Sequence, residues 1–294
     1  MRFRTSPAAA GLLLSAALFL ALAGVDARAQ GDAKRGAYLA SAGGCVGCHT
    51  EDKQGAAPFA GGRPLKTPFG TFYGPNITPD PRAGLGRWSE TDFVRAMREG
   101  RRPDGAHYYP AFPYTSFTKI VDSDLRDLWA YLRTVPASTR PSTPHDLRFP
   151  FNFRFLLWFW KWLFFTPGPF VPDPARSALL NRGAYLTDAL GHCGECHTPR
   201  NFFGASKSGR YLAGAKLPEG GTASNLTPTR LKKWGDGDLK DFLRTGLTAD
   251  GDVVAEAMGE VVRNTTSKLT DQDLGALMAY LRSLPPLPEE PKPK

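Results

Sequence analysis

The sequence predicts a mainly α-helical protein made of two tandem, similarly built halves. Three observations carry this. The pentapeptide Cys45-Val46-Gly47-Cys48-His49 returns as Cys193-Gly194-Glu195-Cys196-His197. Around it further segments recur in the same order: Arg35-Gly36-Ala37-Tyr38-Leu39 with Arg182-Gly183-Ala184-Tyr185-Leu186, Asn76-Ile77-Thr78-Pro79 with Asn225-Leu226-Thr227-Pro228, Trp88 with Trp234, and Asp104-Gly105 with Asp250-Gly251. Such similarity at a nearly constant offset marks a duplicated unit. Finally, Leu125, Leu128, Trp129 and Leu132 stand at i, i+3, i+4 and i+7, as do Leu274, Leu277, Met278 and Leu281. Each set makes one buried helical stripe, and a proline, Pro136 or Pro285, stops each run.

Taken in order, the chain opens on an export signal. Arg2 and Arg4 precede a short apolar stretch from Gly11 to Ala23, and Ala27-Arg28-Ala29 fits a small-x-small cleavage site. The apolar run is shorter than the ~20 residues that a spanning helix needs. Residues 1–29 therefore read as a signal peptide, with the mature chain starting at Gln30. Its removal takes the formal charge from +9 to +7. That charge is mild and dispersed, which suits acidic partners or anionic lipid and argues against nucleic-acid binding. Hydrophobic residues at 41% and charged residues at 22% are those of a globular protein, and 31 Gly with 26 Pro predict long irregular loops rather than a sheet.

The first unit spans 30–140 and the second 176–285. Each reads as a short N-terminal helix with the repeated pentapeptide, a Gly/Pro-rich wrap, a middle helix (Thr91–Glu99 or Asp238–Thr245), a ligand loop and a C-terminal helix. Gly36 and Gly183 would let the first and last helices of each unit cross closely. The linker, 141–175, holds the aromatic run Phe151–Phe165. That run either packs the units together or faces a partner or a membrane interface, where aromatic side chains with flanking Arg and Lys are favoured. The Pro- and charge-rich tail, 286–294, is expected to be disordered.

The repeated pentapeptide carries the chemistry. Cys-x-x-Cys-His is the attachment signature of c-type haem. Cysteines at i and i+3 share one face of a helical turn and can tie two porphyrin vinyl groups, while the adjacent imidazole reaches the iron. Cys45, Cys48, Cys193 and Cys196 account for all four cysteines, so none is left for a disulfide, and His49 and His197 are the proximal ligands. A structural zinc site would have to unite motifs far apart in sequence and would leave both histidines unexplained. On the distal side Met258, 61 residues after His197, offers a thioether, which raises the potential of the iron. Aligning Asp104-Gly105 with Asp250-Gly251 puts Phe112 opposite Met258, and phenylalanine cannot ligate. Three readings stay open for the first unit: His107 as sixth ligand, Met97 as sixth ligand, or an open site. Met97 aligns with Leu243 and Met278 lies in a helical stripe, so both also read as core.

These motifs, with Tyr109-Pro110-Ala111-Phe112-Pro113-Tyr114 and Gly191 to Asn201, resemble the cytochrome c subunits of bacterial membrane-bound dehydrogenases for alcohols, gluconate and fructose. The resemblance covers nearly the whole mature chain. It implies two tandem class I-like cytochrome c domains, each wrapped on a covalent haem, in the periplasm or against the inner membrane. It implies a dehydrogenase as electron donor, and the quinone pool, a soluble cytochrome or a terminal oxidase as acceptor. By position it makes His49 and His197 proximal ligands and Met258 a distal one. Members of that family usually carry three haems and a C-terminal amphipathic anchor, whereas this sequence has two motifs and a Pro- and Lys-rich tail. Two functions follow: a one-electron carrier with no catalytic residue of its own, or a haem enzyme, such as a dihaem peroxidase, acting at an open first haem with His107 or Glu99 as acid/base.

Overall fold

The computed structural model describes residues 31–217, 220–248 and 250–289; the expected signal peptide and residues 290–294 lie outside them. Helix α1 (Ala33–Ala42) starts at Asp32, whose carboxylate accepts from the N–H groups of Lys34 and Arg35 at 2.8 and 3.1 Å. Gly44, in the left-handed region, then turns the chain into α2 (Cys45–His49). Strands β1 (Pro64–Thr67) and β2 (Gly70–Tyr73) form an antiparallel hairpin. Helix α3 (Glu90–Glu99) begins with a Ser89/Asp92 capping box and ends at left-handed Gly100. The half closes with α4 (Tyr114–Phe117) and α5 (Asp122–Leu132).

The second half repeats this plan after β3 (Asp146–Leu147) and α6 (Leu156–Phe164). Helix α7 (Ala178–Tyr185) runs on through one π turn, Leu186–Leu190, into α8 (Gly194–His197). A two-stranded ribbon of β4 (Ala215–Lys216) and β5 (Thr222–Ala223) follows, then α9 (Pro228–Leu231), α10 (Asp236–Thr245), α11 (Glu256–Asn264) and α12 (Asp271–Ser283). The expected middle helices are α3 and α10, starting one and two residues early.

The expectation of irregular loops rather than a sheet needs correction. Strand β3 pairs with β2, so the wrap of the first half contains a three-stranded sheet ordered β1-β2-β3. Its stability has a local cause: Phe72 is buried with Tyr109 and Leu157 in a small cluster of its own. The expected linker is therefore woven into the first half from its start. Asn76 N–H donates to Ser142 Oγ and Tyr73 N–H to His145 Nδ1, at 3.0 and 3.2 Å. Of the tail expected to be disordered, residues 286–289 lie within the described part of the chain. Leu287 and Pro288 carbonyls accept from Asn225 and Arg210, both at 2.8 Å, which ties that stretch to the second half.

Glycines set the helix crossings. A Cβ on Gly36 would stand 1.9 Å from the Asp127 carbonyl oxygen, and one on Gly183 would stand 2.0 Å from that of Ala276. So α1 crosses α5, and α7 crosses α12, at a distance only glycine allows. One contiguous buried cluster spans both halves, with Leu39, Leu125 and Leu128 from the first and Leu190, Leu274 and Leu277 from the second. Burying each such side chain contributes about 1.5–3 kcal/mol. Met97, at 6% exposure, and Met278, at 9%, sit in it as core residues.

The halves also exchange polar contacts reciprocally. Tyr38 donates its hydroxyl to Asp273 at 2.5 Å, and Tyr185 donates to Asp124 at 2.8 Å. Each hydroxyl in turn accepts from the backbone N–H at the start of the other half's last helix, Thr270 or Val121, at 3.3 Å. The two aspartates are buried, and each is also paired within its own half, Asp124 with Arg35 and Asp273 with Arg182. A buried charge needs such partners.

Gly183→Ala is expected to destabilise the protein by about 2 kcal/mol, because the added methyl cannot be accommodated without parting α7 and α12. Gly209→Ala, where a Cβ meets nothing within 4 Å, is the control and should leave the denaturation midpoint unchanged. Equal midpoints for both variants would contradict the crossing.

Candidate functional site

Both pentapeptides form a short helical turn, and each histidine is oriented by one backbone carbonyl. His49 Nδ1 lies 2.8 Å from the Pro75 oxygen, and His197 Nδ1 lies 2.6 Å from the Ser224 oxygen. A carbonyl can only accept, so each Nδ1 carries the proton and donates it. That leaves Nε2 with its lone pair, which is the tautomer of a metal-ligating imidazole. Burial lowers the pKa of both rings, with the carbonyl bond opposing it, which further favours the neutral form.

The carbonyls are held by the repeated Asn-x-Thr-Pro segment that follows them. Asn76 Oδ1 accepts from the N–H and hydroxyl of Thr78, at 2.9 and 2.7 Å. Its Nδ2 donates to the Ser138 and Arg140 carbonyls, both at 2.8 Å, beyond the end of α5. Asn225 does the same with Thr227 and with the Leu287 carbonyl. All four of these Asn and Thr residues are buried. From the other side, Gly61 and Gly214 N–H groups donate to the His49 and His197 carbonyls at 2.7 and 2.8 Å. Pro75 and Ser224 escaped the sequence reading because their backbones, not their side chains, do the work. The signal that could have found them was the motif recurring one residue later.

Burial pushes the Cys45 and Cys193 thiols up to about 12 and the Cys48 thiol to about 11. Among the described residues no three His, Cys, Asp or Glu side chains gather as a metal-binding group, so the four cysteines are not placed for a shared zinc site. The donor set of each turn fits covalent haem instead: two thiols at i and i+3, and a neutral imidazole with a free Nε2.

The distal candidates differ in placement. Met258 is half-buried on α11 and packs against the main core. Phe112 stands among the rings of Tyr108, Tyr114 and Phe117, at 5.2, 6.4 and 5.7 Å between centroids. His107 pairs with Arg101 in an isolated bridge that matches Leu247 with Val253, so it holds the place of Val253 rather than of Met258. Its Nδ1 lies 3.1 Å from Lys161 Nζ. That ammonium also donates to the Glu99 and Gly100 carbonyls, so its three protons meet three acceptors. A His107 ring accepting at Nδ1 carries its proton on Nε2. This is the reverse of His49 and His197.

The two attachment turns also rest on one another's distal segments. Arg63 donates to Glu260 of α11 at 2.8 Å, and a Cβ on Gly47 would lie 3.1 Å from the same carboxylate. In return Thr115 and Ser116 of α4 donate to Glu195, inside the second pentapeptide, at 2.7 and 3.1 Å. Burial alone would raise the Glu195 pKa, but Arg200 and the Thr115 hydroxyl outweigh it and hold the carboxyl below its usual value. The ring of Phe117 meets that of His192 edge-on at 5.4 Å. Each half therefore builds part of the other's site.

Comparison with known proteins agrees with this geometry. The family model described as "Cytochrome c" matches residues 33–136. A "Diheme cytochrome c-type" protein of Cereibacter sphaeroides is 46% identical over 87% of this chain and 86% of its own length. The fructose dehydrogenase cytochrome subunit of Gluconobacter japonicus is 39% identical over 90% of this chain, which spans 57% of that relative. The gluconate 2-dehydrogenase cytochrome c subunit of Pantoea cypripedii is 39% identical over 93% of this chain, which spans 64% of it. A cytochrome c domain holds its haem covalently. With a paired set of Cys-x-x-Cys-His turns and a relative matched nearly end to end, the chain belongs to the cytochrome c family, alongside the cytochrome subunits of fructose, alcohol and gluconate dehydrogenases.

Proposed function

We propose that this protein is a periplasmic electron carrier with two covalent haems, one in each of two tandem cytochrome c domains, 30–140 and 176–285. The observation that carries the reading is the matched pair of histidines, each with Nδ1 donating to a fixed carbonyl. Bound in these turns, haem iron supplies a one-electron ferric/ferrous couple. The chain's own residues do the rest. Cys45 and Cys48, and Cys193 and Cys196, fix the ring covalently, and the carbonyls of Pro75 and Ser224 orient the imidazoles of His49 and His197. Met258 is the sixth ligand in the second domain. The reciprocal contacts of Tyr38 with Asp273 and Tyr185 with Asp124 hold the two sites at one separation. A rigid frame of this kind limits reorganisation when charge changes.

The donor is a dehydrogenase catalytic subunit, supported by relatives named as dehydrogenase cytochrome subunits. The acceptor is the quinone pool, a soluble cytochrome or a terminal oxidase. The leader read at 1–29 supports export, and peripheral membrane contact through Phe151–Phe165 completes the reading. Among the described residues no helix is long and apolar enough to cross a membrane.

A second reading rests on one observation. The distal segment of the first domain presents Phe112 where the second presents Met258, and His107 is turned to Lys161. An open first haem would admit small ligands and support peroxidase-like chemistry.

Met258→Ala should abolish the methionine-to-iron charge-transfer band of the oxidised protein and lower one of the two midpoint potentials, leaving the other in place. An unchanged band and potential would refute the ligand assignment. Adding CO to the reduced protein separates the two readings of the first site. A carrier with both irons six-coordinate leaves the spectrum unaltered, whereas rapid CO binding with peroxide turnover assigns an enzyme.

A further inference from the structure

Helix α6 carries its polarity inside out. Phe155, Trp158, Phe159, Trp162 and Leu163 fall on one stripe at helical spacing, and all are exposed, Trp162 at 75%. The charged residue of the helix, Lys161, is on the opposite face and buried, beside Leu157. Its ammonium lies over the rings of Tyr114 and Phe165, at 4.8 and 5.3 Å, besides capping the end of α3. An ordinary surface helix would show the lysine and hide the aromatics.

A second segment extends the patch from elsewhere in the sequence. Phe202, at 93% exposure, and Phe203, at 62%, stand on the loop after α8. Trp160 Nε1 donates to the Phe203 carbonyl at 2.9 Å, and the Phe164 and Phe203 rings meet at 5.9 Å, so this loop is pinned to α6. Phe149, Phe151 and Phe153 continue the exposed surface ahead of the helix. An apolar surface of this extent calls for an occupant.

Charge identifies which one. Between Asp146 and Asp173 the sequence has no acidic residue but has Arg148, Arg154 and Lys161. Between Glu195 and Glu219 it again has none, but has Arg200, Lys207, Arg210 and Lys216. Arg148 and Lys207 are exposed, whereas Arg200 is paired with Glu195 at 2.5 Å. Aromatic side chains standing proud, with a cationic rim and no carboxylates in either segment, match the headgroup layer of an anionic bilayer.

We propose that α6 and the Phe202–Phe203 loop form one interfacial anchor that lies flat in the headgroup region of a membrane containing anionic phospholipid. The inference rests on the exported placement proposed above and names the lipid class and the second segment of that contact. The anchor is rigid with the first half, because Lys161 holds Gly100 and His107, and Arg154 donates to the His107 carbonyl at 3.0 Å.

The test is co-sedimentation of the purified full-length holoprotein with vesicles of phosphatidylglycerol or of phosphatidylcholine, bound protein being measured by gel densitometry. The anchor predicts binding to phosphatidylglycerol that weakens with salt, and much weaker binding to phosphatidylcholine. The double variant Trp162→Ser/Phe202→Ser should lose at least tenfold in binding with unchanged circular dichroism. Arg148→Gln/Lys207→Gln should weaken binding to phosphatidylglycerol severalfold while leaving phosphatidylcholine unaffected. Absence of vesicle binding, equal binding to both lipids, or wild-type binding by the double variant would overturn the proposal. So would a dimer in sedimentation velocity that Trp162→Ser/Phe202→Ser abolishes without any lipid binding, since a second copy would then be the occupant. Haem content, measured separately on the same preparation, tests the carrier reading, so the two can fail independently.

Discussion

The structure turns on two hydrogen bonds, from His49 Nδ1 to the Pro75 carbonyl and from His197 Nδ1 to the Ser224 carbonyl. Each fixes a tautomer and a ring orientation, and leaves Nε2 as the nitrogen that carries the lone pair. Much of the wrap exists to hold those two carbonyls still. Asn76 and Asn225 bridge the segment after the carbonyl to the chain beyond the last helix, so the closing helix, the wrap and the attachment turn become one unit. Destabilising the closing helix would therefore disturb the imidazole, although the two are far apart in sequence.

The duplication does more than repeat the attachment turn. Glu195, inside the second attachment turn, accepts from α4 of the first half, and Arg63 of the first half reaches Glu260 on α11, two residues from Met258. With the Tyr38–Asp273 and Tyr185–Asp124 exchange, the halves lock at several points rather than hinge about a linker. The near-symmetry also makes the departures legible. Phe112 and Met258 share a place in the repeat but not a chemistry, and His107 stands where the other half has Val253.

Much of this was readable beforehand because it is local. The attachment turns, the helical stripes of Leu125 to Leu132 and Leu274 to Leu281, and the glycines at the crossings announce themselves through spacing and residue type. What escaped depends on contacts between distant positions. Nothing near His107 reveals that a lysine 54 residues on occupies its Nδ1. The sheet is not legible locally, because β3, which completes it, comes from within the expected linker. The Phe202–Phe203 loop belongs with α6 through Trp160, 43 residues before Phe203 in the sequence.

Mass spectrometry of the protein purified from an exporting bacterial host offers the most direct check. Proteolytic peptides spanning Cys45–His49 and Cys193–His197 should each carry one covalent haem, on a chain that starts at Gln30. Recovery of either peptide with two unmodified thiols from fully matured protein would contradict the two-haem carrier.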